Sequence, residues 1–293
     1  MTPQGANILK ATVWMLGSIG SFTLLGVAGR EASLDLDTFE ILLYRSLFGI
    51  AIVLIIAKAA GTLHQLNTRD LPLHSVRNIC HFGGQNLWFY AVTVAPLAQV
   101  VALEFTTPLW VTLLAPFVLG ERLTSIRALS AVIGFAGVLI VARPDMGNIH
   151  PGALTAALSA IFFAGSIMTT KILTRTQSIT SILFWLVIIQ TGLGLIFAGY
   201  DGDIALPSAA SLPWVVAIAF GGLTAHFCLT KALTLVPATI AVPLDFGRLP
   251  VIAIVGMLLY AEALDAYVFL GAAIIFGANY LNIWRETRKL SPN

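Results

Sequence analysis

Two acidic residues stand inside long apolar stretches of the sequence. Glu104 is the one charge in the run WFYAVTVAPLAQVVALEFTTPLW, and Asp245 lies in a similar run, TKALTLVPATIAVPLDFGRLP. A charge at the centre of a bilayer costs about 2.5–3.5 kcal/mol on insertion scales, so it faces protein or water and has a partner. If these runs cross a membrane, both carboxylates are candidates for solute contact, for proton transfer, or for ion pairing within the protein.

The candidate partners of these carboxylates are two arginines in equally apolar surroundings. Arg248 follows Asp245 by three residues, which places both side chains on one face of a helix. Arg45 lies in another apolar stretch, LLYRSLFG. Two hypotheses stay open. All four charges form structural ion pairs, or Arg45 and Glu104 form a brace while Asp245 and Arg248 belong to a solute site.

Polar and aromatic residues accompany these charges. His81, Gln85 and Trp88 recur at i, i+4 and i+7, which is one helical face. Such a face suits a flat conjugated solute, because rings stack on its planar part and polar groups bind its edge. The alternative is that the histidines only pack and the tryptophan only marks the membrane interface. The candidate cavity residues are Arg45, His81, Gln85, Trp88, Glu104, Phe105, His226, Asp245 and Arg248.

The composition indicates that membrane helices position these residues. The chain has 293 residues, of which 58% are hydrophobic and 10% are charged, whereas soluble domains carry about 25% charged residues. The mean hydropathy of +0.90 agrees with this. So little polar surface cannot cover a water-soluble globule. The net charge of +2 gives no reason to expect a nucleic acid partner.

Ten stretches are long and apolar enough to cross a bilayer, which takes about 20 residues. They lie near 8–28, 38–58, 73–94, 97–118, 124–142, 152–172, 179–199, 212–233, 237–259 and 264–284. In the fourth stretch Glu104 follows the turn at Pro96 by eight residues, so it lies about 12 Å deep at 1.5 Å per residue. The sequence therefore predicts an all-α membrane protein with ten transmembrane helices and Glu104 near mid-membrane.

Basic residues predict the orientation of these helices. With the N-terminus inside, only Arg30 and Arg143 lie at outer ends of the stretches. The inner ends carry Lys10, Lys58, Arg69, Arg77, Arg122, Arg127, Lys171, Arg175, Arg285, Arg288 and Lys289. Because positive charge accumulates on the cytoplasmic side, both termini are predicted to be cytoplasmic.

The sequence also contains a weak internal repeat. A shift of 141 residues places Ala91 on Ala232, Thr93 on Thr234, Pro96 on Pro237, Glu104 on Asp245, Phe105 on Phe246 and Glu121 on Glu262. This predicts two repeats, 1–147 and 148–293, each with five spans. Because five is odd, the second repeat enters the membrane from the opposite side, and inverted repeats of this kind are typical of secondary transporters.

These features together resemble the EamA family of the drug/metabolite transporter superfamily. The resemblance rests on the ten spans, the five-plus-five duplication, Arg45 in LLYRSLFG, and the LGERLT motif at 119–124. It implies a carrier in the bacterial inner membrane that moves a small solute through a central cavity without ATP hydrolysis. The stretch from Arg77 to Ala115 looks most like proteobacterial riboflavin uptake carriers. S-adenosylmethionine carriers and amino-acid exporters of the same fold are the alternatives.

Other classes of membrane protein find less support in the sequence. An intramembrane enzyme needs a catalytic set such as a Ser-His pair or His-Glu-x-x-His, and neither is found. Cys80 and His81 are adjacent, and the second cysteine is the distant Cys228. No catalytic residue, metal site or cofactor is therefore predicted. A membrane assembly factor without transport activity is the other alternative.

Glycines in the predicted fifth and tenth spans favour close helix packing. They are Gly134, Gly137, Gly271 and Gly277. In transporters that this chain resembles, the corresponding helices can form a dimer surface. The expected partners are therefore a small-molecule substrate and the lipid bilayer, and both a monomer and a homodimer stay open.

Overall fold

The computed structural model describes residues 3–118, 125–143, 150–200, 202–235, 244–245 and 247–290. Within these ranges it has eleven α-helices, one short 3₁₀ helix (Leu63–Gln65) and no strand. The helices are α1 (Pro3–Ala32), α2 (Thr38–Ala59), α3 (Leu71–Val94), α4 (Leu97–Glu104), α5 (Thr107–Val118), α6 (Ser125–Ala142), α7 (Pro151–Leu173), α8 (Ile179–Ala198), α9 (Leu212–Leu235), α10 (Arg248–Tyr260) and α11 (Ala266–Leu290). The all-α prediction is confirmed.

Length and composition make five helical segments capable of crossing a membrane. They are Leu9–Ala32, Thr38–Ala59, Pro151–Leu173, Ile179–Ala198 and Leu212–Leu229. Shorter apolar segments are Leu97–Val111, Ala128–Val141, Arg248–Tyr260 and Ala266–Leu281. The helix α3 is long enough to cross a membrane, but its buried polar residues lower its hydropathy. These residues face the protein interior. These helices fit the ten-helix membrane fold expected from the sequence.

Local sequence explains where several helices begin. At α2, the Asp37 side chain accepts a hydrogen bond from the Glu40 amide, and the Glu40 side chain accepts one from the Asp37 amide. This reciprocal capping satisfies two amides that have no partner inside the helix. At α8, the Ser178 hydroxyl accepts from the Ser181 amide in the same way.

The fourth predicted span, 97–118, is not one helix. It is broken between α4, which ends at Glu104, and α5, which begins at Thr107. Pro108 supplies no amide proton, so the helix cannot continue its hydrogen bonds across this point. The Thr107 hydroxyl donates to the Glu104 carbonyl and so satisfies the acceptor that the missing Pro108 amide leaves free. The break places Glu104 at a helix end.

The helices of the two repeats pack in related pairs. The shift of 141 residues relates α1 to α7, α2 to α8, α3 to α9 and α6 to α11. In the structure α1 packs along α9 and α3 packs along α7, while α2 packs on α8 and α6 packs on α11. Exchange of the two repeats therefore converts the α1–α9 contact into the α3–α7 contact. It leaves the α2–α8 and α6–α11 contacts unchanged. The repeat partners Pro237 and Phe246, the Pro243 beside Asp245, and the motif at 119–124 lie outside the described residues.

Three of the four glycines of the fifth and tenth spans, Gly134, Gly137 and Gly271, lie against neighbouring helices of the same chain. A methyl group added at Gly271 would lie 2.7 Å from the Gly137 carbonyl oxygen and 2.4 Å from a Val141 methyl group. A methyl group at Gly134 would meet Leu109, whereas one at Gly277 would meet no heavy atom within 4 Å. Gly137 and Gly271 therefore allow α6 and α11 to pack closely against each other within one chain.

We expect Gly271→Ala to lower the stability of the folded protein. The added methyl group meets backbone and a neighbouring helix, and overpacking of this kind costs about 1–3 kcal/mol. Gly277→Ala is the matched control, because it lies on the same helix in open space and gains the same helix propensity. Thermal unfolding in detergent, followed by tryptophan fluorescence, compares the two. Equal melting temperatures for both variants would contradict the close approach of α6 and α11.

Hydrogen bonds between loops join the two repeats at both ends of the bundle. We call the end at which α1 ends and α2 begins the outer end, and the opposite one the inner end. At the inner end, hydrogen bonds from Thr176 and Gln177 lower the pKa of Asp70 below its usual range. At the outer end, hydrogen bonds from Ser208 and Ser211 lower the pKa of Asp35 in the same way.

Candidate functional site

Three charged side chains from the two repeats meet in the interior. The Arg248 guanidinium donates to both oxygens of Glu104, at 3.0 and 3.3 Å, and to Asp245 Oδ2 at 3.2 Å. Arg248 is only 3% exposed. Because two carboxylates share one guanidinium, this acidic cluster of Glu104, Asp245 and Arg248 carries a net charge of about −1 when all three are ionised.

Aromatic rings surround the acidic cluster. The Trp88 indole nitrogen donates to Glu104 Oε2 at 2.9 Å. The Arg248 guanidinium lies 4.9 Å from the centre of the Phe22 ring and 5.2 Å from that of Phe105, distances at which a cation is attracted to an aromatic ring. The arrangement offers hydrogen-bond acceptors and flat apolar walls in one place, which suits a planar solute with a donor or cationic group.

Helix ends position the acidic cluster. Glu104 is the last residue of α4, and Arg248 is the first residue of α10. Transporters commonly place their binding groups at breaks in membrane helices, because free backbone groups there line a cavity. The described atoms without a hydrogen-bond partner include Asp245 Oδ1 and Arg248 Nε, so the cluster retains capacity to bind another polar group.

The polar face predicted on α3 points into the protein. His81, Gln85 and Trp88 are all buried. Among the described residues, His81 Nε2 and Gln85 Oε1 have no hydrogen-bond partner. The His81 ring lies 5.6 Å from that of His226, and His226 lies 5.7 Å from Phe22. The candidate residues His81 and His226 therefore lie close to each other and, through Phe22, close to the acidic cluster.

The expected brace between Arg45 and Glu104 is wrong. Arg45 instead donates to the Gln190 side chain on α8, and Glu104 is bound by Arg248 and Trp88. The reason is the packing of α2 on α8, which directs Arg45 toward the partner repeat's helix and away from α4.

Sequence reasoning missed Arg77, which it placed with the cations of the inner ends. Arg77 lies six residues inside α3 and is only 5% exposed. Its Nε donates to Thr170 Oγ1 at 3.1 Å, and its Nη1 donates to Asn78 at 3.2 Å. The signal was present, because Arg77 precedes His81 by four residues and so extends the same helical face.

Two cavities lie in different parts of the bundle. A narrow one of about 10 Å³ is lined by Arg45 and His226, together with Gly49, Leu186, Val187, Ala219, Gly222 and Leu223. A larger one of about 480 Å³ lies at the outer end, where Gln99, Arg143, Glu262 and Asp265 contribute to its lining. The narrow cavity belongs to the candidate site, whereas the larger one lies in the outer part of the bundle.

Contacts that centre on Arg30 join several helices at the outer end. Its guanidinium donates to the carbonyls of Val92 and Ala95, each at 2.6 Å, and to Glu262. Glu262 also accepts from the Leu97 amide at 2.9 Å. This outer lock, formed by Arg30 and Glu262 with the backbone around Ala95, joins the two repeats above the acidic cluster.

Comparison with known proteins identifies the family. The model of the EamA-like transporter family matches residues 9–143 and again residues 150–284. An S-adenosylmethionine uptake transporter of Rickettsia prowazekii is 27% identical over 283 residues, covering 97% of this chain and 95% of that protein. A riboflavin transporter of Brucella anthropi is 30% identical over 273 residues, covering 90% and 95%. A pseudopaline exporter of Pseudomonas aeruginosa is 26% identical, covering 92% and 94%.

A solved crystal structure has the same fold. It aligns with a TM-score of 0.66 at 19% identity and covers 96% of this chain and 99% of its own. The similar proteins above are named as transporters and not as enzymes. Since the two matches of the family model, to residues 9–143 and 150–284, together cover most of the sequence, the chain belongs to the EamA-like transporter family and is a membrane transporter.

Proposed function

We propose that this protein is a secondary carrier that takes up a small planar metabolite across the bacterial inner membrane. Its repeats are 1–147 and 148–293, and both termini are cytoplasmic. The observation that carries the proposal is the acidic cluster. Glu104 comes from the first repeat and Asp245 and Arg248 from the second, so rocking of one repeat against the other changes access to the groups between them.

Two metabolites are the leading candidates. Riboflavin suits the aromatic surroundings of Trp88 and Phe105, and several relatives are named riboflavin transporters. S-adenosylmethionine is also planar in part and carries a sulfonium cation, which suits the excess of carboxylate over guanidinium in the acidic cluster. Relatives named for its uptake match at similar identity. The amino-acid exporter alternative has no comparable structural support.

Growth rescue tests the substrate. We expect a bacterial strain unable to make riboflavin to grow on low external riboflavin only when it carries this protein. Uptake of radiolabelled S-adenosylmethionine into the same cells tests the second candidate in parallel. Increased tolerance to toxic amino-acid analogues without either uptake would instead indicate an exporter and would contradict the proposal.

We expect Glu104→Gln and Asp245→Asn each to reduce transport by about 10- to 100-fold. The reason is that a hydrogen bond to a charged group contributes about 1.5–3 kcal/mol, and about 1.4 kcal/mol corresponds to a factor of ten. Initial uptake rates in proteoliposomes, normalised to the amount of folded protein, measure the effect. The control is Asp203→Asn, which changes an exposed loop residue. Normal uptake by both variants would assign Glu104 and Asp245 a purely structural role.

A further inference from the structure

We propose that a second cluster in the interior binds an oxyanion of the transported solute, either a carboxylate or a phosphate. We call it the basic cluster, and it consists of Arg45, Arg77, His81, Gln190 and His226. The inference rests on the proposed function and refines it. The substrate then carries an anionic group in addition to its planar part, and of the two leading candidates S-adenosylmethionine has such a group whereas riboflavin does not.

The first argument is the burial of two arginines without acidic partners. Arg45 is 7% exposed and Arg77 is 5% exposed. Their hydrogen bonds reach neutral groups, the side chain of Gln190 for Arg45 and those of Thr170 and Asn78 for Arg77. In the part of the chain that the structure describes, no carboxylate forms an ion pair with either.

The burial of Arg45 and Arg77 without an acidic partner is energetically costly. A buried charge without a counter-charge costs several kcal/mol, which explains why such charges in proteins are normally paired. Arg248, the third arginine that is buried in the described part of the chain, has two carboxylates beside it. An anionic group of the solute would provide Arg45 and Arg77 with a counter-charge, as Glu104 and Asp245 do for Arg248.

The second argument is that these groups converge. Arg77 and His81 are one turn apart on α3, and the His81 ring lies 5.6 Å from that of His226. His226 and Arg45 line the same narrow cavity. Helices α2, α3 and α9 therefore direct their basic side chains toward one region, with Gln190 on α8 beside Arg45.

The third argument is that Gln190 and His81 each have a side-chain nitrogen without a hydrogen-bond partner among the described atoms. Gln190 uses its oxygen to accept from Arg45, while its Nε2 has no partner among the described atoms. His81 Nε2 is unpartnered as well, and the Ser166 hydroxyl lies 3.4 Å from its Nδ1. When Ser166 donates to Nδ1, Nε2 carries the ring proton and becomes a donor. Donors that lack an acceptor are what an oxyanion requires.

The basic cluster and the acidic cluster are two ends of one strip. Gln85 and Trp88 continue the face of α3 from Arg77, and eleven residues of helix span about 16 Å. Phe22 contacts both ends, since its ring lies near His226 and under the Arg248 guanidinium. A solute of about this length would place its oxyanion at Arg45 and Arg77 and its planar or cationic part at Trp88 and Glu104.

Matched ligand pairs test the inference on the purified full chain in detergent. Riboflavin and riboflavin 5′-phosphate differ by a phosphate, and S-adenosylmethionine and its decarboxylated form differ by a carboxylate. We expect the member that carries the phosphate or carboxylate in at least one pair to bind at least about tenfold more tightly, as for a charge-assisted hydrogen bond. The pair that shows the preference identifies the oxyanion. Equal affinity within both pairs in the unaltered protein would overturn the inference without any variant.

Variants localise the effect. We expect Arg45→Gln and Arg77→Gln to reduce the preference to within about twofold, whereas Arg69→Gln, at an inner-end side chain that is 73% exposed, retains it. His81→Phe provides a second test if an arginine variant does not fold, since it removes both ring nitrogens and keeps an aromatic ring at this position, and we expect it to weaken the preference. A preference that persists in the folded double variant of Arg45 and Arg77 would overturn the inference.

Inorganic phosphate and acetate, titrated alone, separate this inference from the proposed function. If neither planar ligand binds but one of these anions raises the melting temperature in a manner that depends on Arg45 and Arg77, the anion site stands and the planar substrate is wrong. If no ligand pair binds and neither anion has an effect, both proposals fail.

Discussion

Arg248→Met is expected to unfold a large fraction of the protein and to abolish transport. Arg248 is almost fully buried and binds both Glu104 and Asp245. Its removal leaves two carboxylates in the interior without a counter-charge, and loss of one partner from a buried ion pair costs about 3–5 kcal/mol. The yield of monodisperse protein in detergent and its melting temperature measure the effect.

A triple variant separates the charge from the packing in this prediction. Arg248→Met combined with Glu104→Gln and Asp245→Asn removes all three charges together, and neutral replacement of a whole buried cluster is often tolerated. We expect this variant to regain most of the folded protein while remaining unable to transport. Arg69→Met is the exposed control. Full stability of the Arg248→Met single variant would refute the view that Arg248 stabilises the fold through its contacts with the two carboxylates.

Arg30→Met is expected to open the outer end of the carrier. The outer lock consists of hydrogen bonds from Arg30 to Val92, Ala95 and Glu262 that would be lost when the repeats separate there. A charged hydrogen bond contributes about 1.5–3 kcal/mol, so the closed form should lose about 10- to 100-fold in relative population. Uptake should fall, because the carrier must close on this side to release its solute on the other.

Spin labels can measure this opening directly. Leu34 follows α1 and Leu264 precedes α11, and both are exposed at the outer end. With cysteines at these two positions and serines at Cys80 and Cys228, we expect the distance distribution to shift to longer values in the Arg30→Met variant.

Another ion pair at the same end provides the control. Arg143 and Asp265 are much more exposed, and exposed pairs contribute only about 0–1 kcal/mol, so Arg143→Met should leave the distances unchanged. Equal distributions for Arg30→Met and the unaltered protein would mean that the outer lock does not hold this end closed.

The amino-acid sequence by itself determined the kind of protein and the positions of several of its helices. Apolar stretches of about 20 residues have one stable solution in a bilayer, because every backbone hydrogen bond must be satisfied within the segment. The predicted stretches 38–58 and 179–199 match α2 and α8 to within one residue at each end. The cost of a charge in the membrane also sufficed to predict that Glu104, Asp245 and Arg248 point into the protein.

Only the tertiary structure decided which charges meet. Spacing along one helix relates Asp245 to Arg248, but it says nothing about the angle at which α4 crosses α10 or α2 packs on α8. These contacts bring Glu104 to Arg248 and direct Arg45 to Gln190. The outer lock between Arg30 and Glu262 joins residues more than 200 positions apart. Hydrophobicity acts on each segment separately, whereas partners across helices depend on how all segments pack together, and that information is in no single stretch of the chain.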